Sequence, residues 1–353
     1  PFQYAPFLSN VATVQAVLNS ATSVKKYSKK IQPHIINVVG EWCPFEKKIK
    51  DNEINLISFK EGYEFYEKLP RYSYLKSRFS YLLISLVTFL KLYNFLKSKR
   101  ENDYIILHLI TSLPLIIILF FNFKCKFILR ISGFPKLNFF RRKLWVFSEK
   151  KLFKITCPTE DLRKNLIENN VFDKNKLFKL SDPVINMKEF IKKKCEKNSD
   201  ISSKKDINFF IAAGRLTRQK NFIYLVKEFA KFVKVYPEEK LLIFGEGELK
   251  NKILKEIKKN NVSHNVNLCG YTDNIYKYML NSKAFLLSSL WEDPGFVMIE
   301  SALCNCFIIS SNCKNGPKEF LLNGDAGLIF ESDKNEELFK KLCEFKKLET
   351  KYI

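Results

Sequence analysis

The string Ser288-Ser289-Leu290-Trp291-Glu292-Asp293-Pro294-Gly295-Phe296-Val297-Met298-Ile299-Glu300 holds two glutamates, one on either side of a Pro-Gly step. An apolar run ends at Ser288, so the string reads as a strand end, a loop and a helix. Asp293 suits the cap of that helix and Pro294 its first position. A helix start leaves N–H groups without intrahelical partners, here those of Gly295, Phe296 and Val297. With the helix dipole behind them they suit phosphate oxygens. Glu292 falls in the loop and Glu300 about two turns into the helix. Carboxylates accept from O–H groups, so one acid can take sugar hydroxyls and the other ribose hydroxyls. Taken singly, each acid reads as a cap or a solvated helix residue.

Two further strings have the same strand-to-helix character. In Ala213-Gly214-Arg215-Leu216-Thr217-Arg218-Gln219-Lys220-Asn221, Gly214 permits a sharp turn at a strand end. Arg215 and Lys220 then leave the strand end and the helix start as two cations that suit a departing diphosphate. Alone, they are equally surface cations beside a loop. In Leu242-Ile243-Phe244-Gly245-Glu246-Gly247-Glu248-Leu249, Gly245 and Gly247 admit close backbone approach of a ligand, or serve turn geometry only.

The elements that must position these residues alternate short apolar runs with longer helical patterns, the rhythm of parallel α/β folds. Strands are expected at residues 35–39, 56–59, 104–109, 127–131, 154–157 and 177–180. In the second half they are expected at 208–213, 240–244, 266–269, 284–288, 306–310 and 327–330. Helical patterns over 221–236 and 248–259 lie between them. A hinge is expected at Asp182-Pro183, before the polar stretch 192–206, which reads as a helix plus an exposed loop. That splits the chain into domains 1–183 and 184–353. Two such halves imply a cleft, with ligands at the carboxyl ends of the strands. The apolar run 105–123 reads as strand, turn and buried helix rather than a membrane span, since it contains His108, Thr111, Ser112 and Pro114.

The 353 residues carry a net charge of +23, unevenly spread. Residues 1–185 hold 31 Lys and Arg against 15 Asp and Glu, a net +16, leaving +7 for the remainder. A basic half attracts anions such as acidic lipid headgroups or phosphorylated acceptors; a Lys-rich compositional bias accounts for part of the excess. The nine cysteines include no CxxC pair and none beside a His at ligand spacing, which argues against a disulfide framework or a zinc site. They read as small buried hydrophobes in a reducing compartment. Opening on Pro1 and closing on Tyr352-Ile353, the sequence reads as a trimmed one.

The order AGRL-x-x-QKN, LIFGEGEL, LWEDPGFVMIE resembles the GT-B glycosyltransferases of family 4, also called glycosyltransferase group 1. The spacing of Glu292 and Glu300 matches that family's EX7E motif, and Asn315-Gly316-Pro317-Lys318-Glu319 resembles its Gly-rich turn followed by a Glu. The resemblance covers the C-terminal half almost end to end. It implies a GT-B fold: an α/β protein of two Rossmann-like domains with parallel sheets facing across a cleft. It implies that Arg215 and Lys220 bind the diphosphate of a nucleotide sugar, that Glu292 holds the donor sugar and that Glu300 holds the ribose. Gly214, Gly245, Gly247, Gly295, Phe296 and Val297 would complete the donor site. It further implies transfer with retention of configuration and no cofactor or metal; no Asp-x-Asp metal motif stands in the sequence.

The N-terminal half matches less closely. Pro6-Phe7-Leu8-Ser9-Asn10-Val11-Ala12 resembles the family's first strand and its Gly-Gly turn, with Ser9 and Asn10 where glycines are usual. Asp103-Tyr104-Ile105-Ile106-Leu107-His108 resembles the strand that ends in a His near the donor sugar, and Arg130-Ile131-Ser132-Gly133 stands where a His-Gly pair is common. His108 is thus a catalytic candidate, or a satisfied core histidine. Ser9, Asn10, Arg130 and Ser132 are acceptor-side candidates. The acceptor is expected to be a glycan or a lipid-linked glycan, as in polysaccharide or glycolipid assembly. The expected location is cytoplasmic, peripheral on the inner face of the plasma membrane, with no nucleic-acid partner. The apolar run 81–99 reads first as a core helix with a cationic end and second as a helix resting on an acidic membrane surface. The rival enzyme is a related GT-B sugar-phosphate synthase or phosphorylase, and the rival to an enzyme is a basic module for nucleic acid or acidic glycan that kept the fold and lost turnover.

Overall fold

A computed structural model describes residues 1–8, 12–28, 30–59, 64–70, 74–196, 209–292 and 294–352. The chain divides into two compact units, Pro1–Val184 and Ile185–Ile353. The division falls just after Asp182-Pro183, but Asp182 is no exposed hinge residue: its carboxylate is buried against the Arg130 guanidinium at 2.5 Å.

The first unit is a seven-stranded sheet built from β1 (Phe2–Tyr4), β2 (His34–Asn37), β3 (Asn55–Ser58), β4 (Tyr104–Leu107), β5 (Lys126–Arg130), β6 (Lys154–Cys157) and β7 (Leu177–Lys179). Their spatial order is β3-β2-β1-β4-β5-β6-β7, and every pairing is parallel. The second unit has six strands, β8 (Phe209–Ala213), β9 (Lys240–Phe244), β10 (Val266–Gly270), β11 (Ala284–Leu287), β12 (Phe307–Ser311) and β13 (Leu328–Phe330). It repeats the pattern, β10-β9-β8-β11-β12-β13, again all parallel. Every residue of β8 and β11 is buried, as a strand covered by helices on both faces requires. In each unit the strand order reverses once, between β1 and β4 and between β8 and β11. Folds of this kind bind ligands outside the carboxyl ends of the strands at that reversal.

Most expected strands appear within two residues of the expected ends. The first does not: β1 is Phe2–Tyr4, and Pro6-Phe7-Leu8 follows it. Pro6 has no N–H to give a ladder, whereas Phe2, Gln3 and Tyr4 are buried and pair on both sides, with His34–Ile36 and with Ile105–Leu107. The run 105–123 resolves into β4 and the helix Ser112–Phe120, whose Leu113, Leu115, Ile117 and Ile118 are buried. The helix Tyr74–Lys97 is more than a core helix. It buries Ile84, Leu92 and Leu96 but turns Phe79, Leu82, Leu86 and Leu90 outward. Among the described residues it contains the one stretch, Arg78–Lys97, that is long and apolar enough to cross a bilayer.

Glycine sets how closely the loops at the carboxyl end of the second sheet stack. Gly245 has φ 136°, and a Cβ there would lie 2.0 Å from the Gly214 carbonyl oxygen. At Gly247 a Cβ would lie 2.5 Å from the Leu216 carbonyl oxygen, and the Leu216 N–H donates to the Glu246 carbonyl at 2.8 Å. Gly270, at φ 74°, has nothing within 4 Å of such a Cβ. Gly270→Ala is therefore expected to cost only its left-handed backbone, about 1–2 kcal/mol. Gly245→Ala adds a backbone collision and is expected to cost clearly more. Urea titration of both variants tests this, and equal losses would refute the loop stacking.

Candidate functional site

The site of the second unit is built at the reversal between β8 and β11. Gly214 ends β8 with φ 150°, and the Lys220 side chain runs across the space its missing Cβ leaves, with Cε 2.9 Å from the position that Cβ would take. A short 3-10 turn, Arg218–Lys220, closes on Asn221 in the left-handed region at φ 53°, where the helix Phe222–Val235 begins. The loop after β11 is laced to that turn: the Leu290 N–H donates to the Gln219 carbonyl at 2.8 Å, and the Ser288 hydroxyl donates to the Lys220 carbonyl at 2.8 Å.

These backbone ties bring the Lys220 ammonium to 2.6 Å from Glu292 Oε1, with the two side chains only 12% and 4% exposed. The Ser289 hydroxyl donates to the same oxygen. The Glu292 backbone is fixed by its N–H to the Lys314 carbonyl at 3.1 Å and by the Asn315 amide, which donates to its carbonyl at 3.0 Å. Gly316 completes the packing, because a Cβ there would sit 2.3 Å from the Pro294 carbonyl oxygen. A charge taken out of water needs a partner and further hydrogen bonds, and Glu292 has both.

The helix that follows runs Phe296–Leu303 with Gly295 as its N-cap at φ 96°. It thus starts two residues later than expected, because Gly295 takes a left-handed turn that keeps Pro294 out of the helix. Asp293, the expected cap, lies outside the described residues. The Phe296 and Val297 N–H groups fall in the first turn, and that of Gly295 just before it. A Cβ on Gly295 would lie 3.6 Å from Glu292 Cγ, so the helix start and the ion pair are neighbours. Glu300 stands little more than one turn in, not two. Its Oε1 accepts from the Tyr276 hydroxyl at 3.3 Å. Burial pushes its carboxyl up to about 6, against the Tyr276 hydrogen bond and the charge of Lys193.

The structure therefore brings together Gly214, Lys220, Glu292, Gly295 and the opening of the Phe296 helix. Arg215 leaves the same strand end with an exposed side chain whose guanidinium has no hydrogen-bond or ion-pair partner among the described residues. Gly245 and Gly247 face the Gly214–Leu216 backbone, which accounts for both glycines without a ligand. Tyr276 and Ser289 were not picked out by spacing. Tyr276 lies on a short helix 24 positions before Glu300, and no local pattern links them. Among the described residues no three His, Cys, Asp or Glu side chains gather as a metal would need.

The remaining candidates lie in the first unit. His108 is buried, its Nε2 2.7 Å from Gln3 Oε1. Burial, and secondarily the charge of Arg130, pushes its pKa down to about 3, so the ring is neutral at ordinary pH. Arg130 is buried in its pair with Asp182, while Arg130 Nη1, Asp182 Oδ2 and Ser132 Oγ are buried without hydrogen-bond partners. Arg130 and Ser132 line a cavity of about 700 Å³ at the carboxyl ends of β4 and β5, together with Arg78 and Arg141. Ser9 and Asn10 lie outside the described residues.

Residues 194–352 match the family described as glycosyl transferases group 1. An uncharacterised glycosyltransferase of Methanocaldococcus jannaschii is 44% identical over 117 residues, covering 33% of this chain and 29% of its own length. The N-acetylgalactosamine-N,N'-diacetylbacillosaminyl-diphospho-undecaprenol 4-alpha-N-acetylgalactosaminyltransferase of Campylobacter jejuni is 28% identical over 234 residues, 63% of this chain and 60% of that protein. The chain thus spans less than two thirds of either relative. Among solved structures, a point variant of S. aureus TarM in complex with fondaparinux, alpha-GlcNAc-glycerol and UDP superposes with a TM-score of 0.71. The match covers 98% of this chain and 92% of that one at 16% identity, a likeness of fold.

Removing one partner of a buried ion pair strands the other charge, at a cost of about 3–5 kcal/mol. Lys220→Met is expected to destabilise the second unit by that order, and Glu292→Gln by less, since an amide can still accept from Ser289. The double variant Lys220→Met/Glu292→Gln is expected to recover part of the Lys220→Met loss. A chemical-denaturation double-mutant cycle measures this, and strict additivity would mean that the two groups do not sense each other.

Proposed function

The second unit is a glycosyl transferases group 1 domain in a chain of GT-B fold, and on that premise we propose that the protein transfers a sugar from a nucleoside diphosphate to an acceptor hydroxyl. The observation that carries this reading is the largely enclosed Lys220–Glu292 pair set against the start of the Phe296 helix, at the strand reversal of the second sheet. Lys220 retains N–H groups beyond the one given to Glu292, and the helix start supplies N–H groups of its own. Arg215 adds an exposed cation from the same strand end. Together they suit the two phosphates of a leaving diphosphate.

In the proposed step the bond from the anomeric carbon to the diphosphate breaks and a bond to the acceptor oxygen forms, with retention of configuration. The acceptor proton passes to the departing phosphate oxygen. Charge that grows on the diphosphate meets Lys220, Arg215 and the helix start, so no metal ion is required. Glu292, held by Lys220 and Ser289, has its second oxygen left for the sugar hydroxyls, and Glu300 accepts from the ribose. His108 is neutral and serves as a hydrogen-bonding group, not a proton carrier. Arg130 and Ser132, with unpartnered polar atoms on the cavity of the first unit, suit an acceptor glycan or the phosphate of a lipid-linked one. The Campylobacter relative is named for a diphospho-undecaprenol-linked acceptor, which supports that class.

Thermal-shift measurements with UDP, GDP, ADP and dTDP test the donor site. One of them is expected to raise the melting temperature, and Arg215→Ala is expected to weaken that shift at least tenfold in nucleotide concentration while the unliganded melt stays put. A protein that no nucleoside diphosphate stabilises, yet that binds heparin in a salt-sensitive way, would instead be a polyanion module.

Glu300 binds ribose hydroxyls as a carboxylate, and its pKa near 6 sets the pH dependence. The ionised fraction falls as pH drops through 6, so the KM for donor is expected to rise between pH 7 and 5. Glu300→Gln is expected to raise KM at pH 7 and to flatten that profile. An unchanged slope in the variant would remove Glu300 from donor binding.

A further inference from the structure

The first unit carries an apolar face that its own core does not explain. On the helix Tyr74–Lys97 the inward side includes Ser80 and Thr88, whose hydroxyls are satisfied by the Pro70 and Ile84 carbonyls. The outward side is Phe79, Leu82, Leu86 and Leu90, with Leu86 70% and Leu90 68% exposed. These positions fall on one stripe at helical spacing. The outward stripe of this helix is therefore apolar from Phe79 to Leu90, beyond what packing on Ile84, Leu92 and Leu96 requires.

The face continues onto two neighbouring helices. Ser112–Phe120 turns Ile116 and Phe120 outward, and Phe139–Ser148 exposes Phe139, Phe140 and Phe147. Tyr81, Ile116 and Phe140, one from each helix, line the same 700 Å³ cavity, so the three outer faces adjoin at its mouth. The Tyr93 ring packs on Phe121, just beyond the second helix, at 4.8 Å.

Charge decides what covers such a face. Residues 68–148 contain fifteen Lys and Arg and only two acids, Glu101 and Asp103. Exposed Arg141, Arg142 and Lys143 stand among the exposed phenylalanines of the third helix. A second copy of the chain would bring the same positive charge against itself. An anionic bilayer matches both properties, taking aromatic and aliphatic side chains below the headgroups and pairing the cations with lipid phosphates. The helix Tyr74–Lys97 is held in the core of the first unit by Ile84, Leu92 and Leu96, so it lies along the surface and does not cross. We propose that the first unit docks on an anionic membrane through the outward faces of these three helices, with the mouth of the Arg130 cavity at the lipid surface. The docking stands on its own observations; only the use of the cavity for a lipid-linked acceptor rests on the transferase reading.

The test is co-sedimentation of the full chain with phosphatidylcholine vesicles and with vesicles containing phosphatidylglycerol. Binding is expected to the anionic vesicles only, to weaken in high salt, and to be released by alkaline carbonate. Leu86→Glu/Leu90→Glu is expected to lower the bound fraction at least tenfold with an unchanged melting temperature, and Arg142→Glu/Lys143→Glu to lower it severalfold. Nucleotide thermal shift is expected to survive both pairs, which keeps this outcome separate from that of the donor site. The proposal is overturned if anionic vesicles do not bring the chain down, or if Leu86→Glu/Leu90→Glu binds them as before. It is also overturned if carbonate leaves the chain in the pellet, or if that pair instead dissolves a dimer seen by sedimentation.

Discussion

The site of the second unit turns on one carboxylate paired out of water. Glu292 is almost wholly enclosed, and a charge without a partner there would destabilise its surroundings. Lys220 supplies that partner, and its side chain crosses the space that Gly214 leaves empty on the way to Glu292. The demand spreads outward from there. The Gly245 and Gly247 loop stacks directly on the Gly214–Leu216 backbone, and Gly316 lets a third loop close on Pro294. The sheet sets four strand ends side by side, and glycine at the contact points lets their loops approach to backbone distance. What results is a rigid cationic and amide-rich surface with few internal adjustments left to make, the arrangement that favours charge developing on a bound group.

The first unit solves a different problem with the same topology. Its strand reversal holds a neutral histidine paired to Gln3 and an arginine paired to Asp182. Burial raises the Asp182 carboxyl pKa while Arg130 opposes the shift, so the pair sits under tension between desolvation and attraction. Atoms on both sides of that pair lack partners, as do the Gln3 amide nitrogen beside His108 and the Ser132 hydroxyl. Around the cavity the helices turn some apolar residues outward, and residues 68–148 carry fifteen Lys and Arg against two acids. One unit thus sets a cation and a helix start beside each other, and the other holds a polar pocket rimmed by apolar, cationic helices. That difference is what the proposed transfer and the proposed membrane docking each draw on.

Much of this was legible in the residues. Alternating apolar runs and helical patterns placed twelve of the strands, because parallel strands buried on both faces are continuous hydrophobic runs that stand out from polar helices. The three glycine-bearing strings marked the loops at the carboxyl end of the second sheet, since each places Gly where a strand must turn at once. The first strand escaped because three residues are too few to show a period, and because Pro6-Phe7-Leu8 looked the more strand-like segment. The start of the Phe296 helix was misplaced by two residues because Pro294 fits a first helical position equally well whether or not Gly295 turns left-handed before it.

Spacing along the chain determined which residue types stand at the strand ends: Arg215 and Lys220 after β8, Glu292 and Glu300 after β11 and a Gly-Pro turn after β12. Only the tertiary structure decided which of them meet. It joined Lys220 to Glu292 across 72 positions and Tyr276 to Glu300 across 24, while Arg215 stayed in solvent. It also decided which face of the helix Tyr74–Lys97 is wet. A sequence records neighbours at the periods of helix and strand, so it reports local geometry well. Contacts between loops and the outward or inward sense of a doubly apolar helix depend on how separate elements pack, and packing is a property of the folded chain alone.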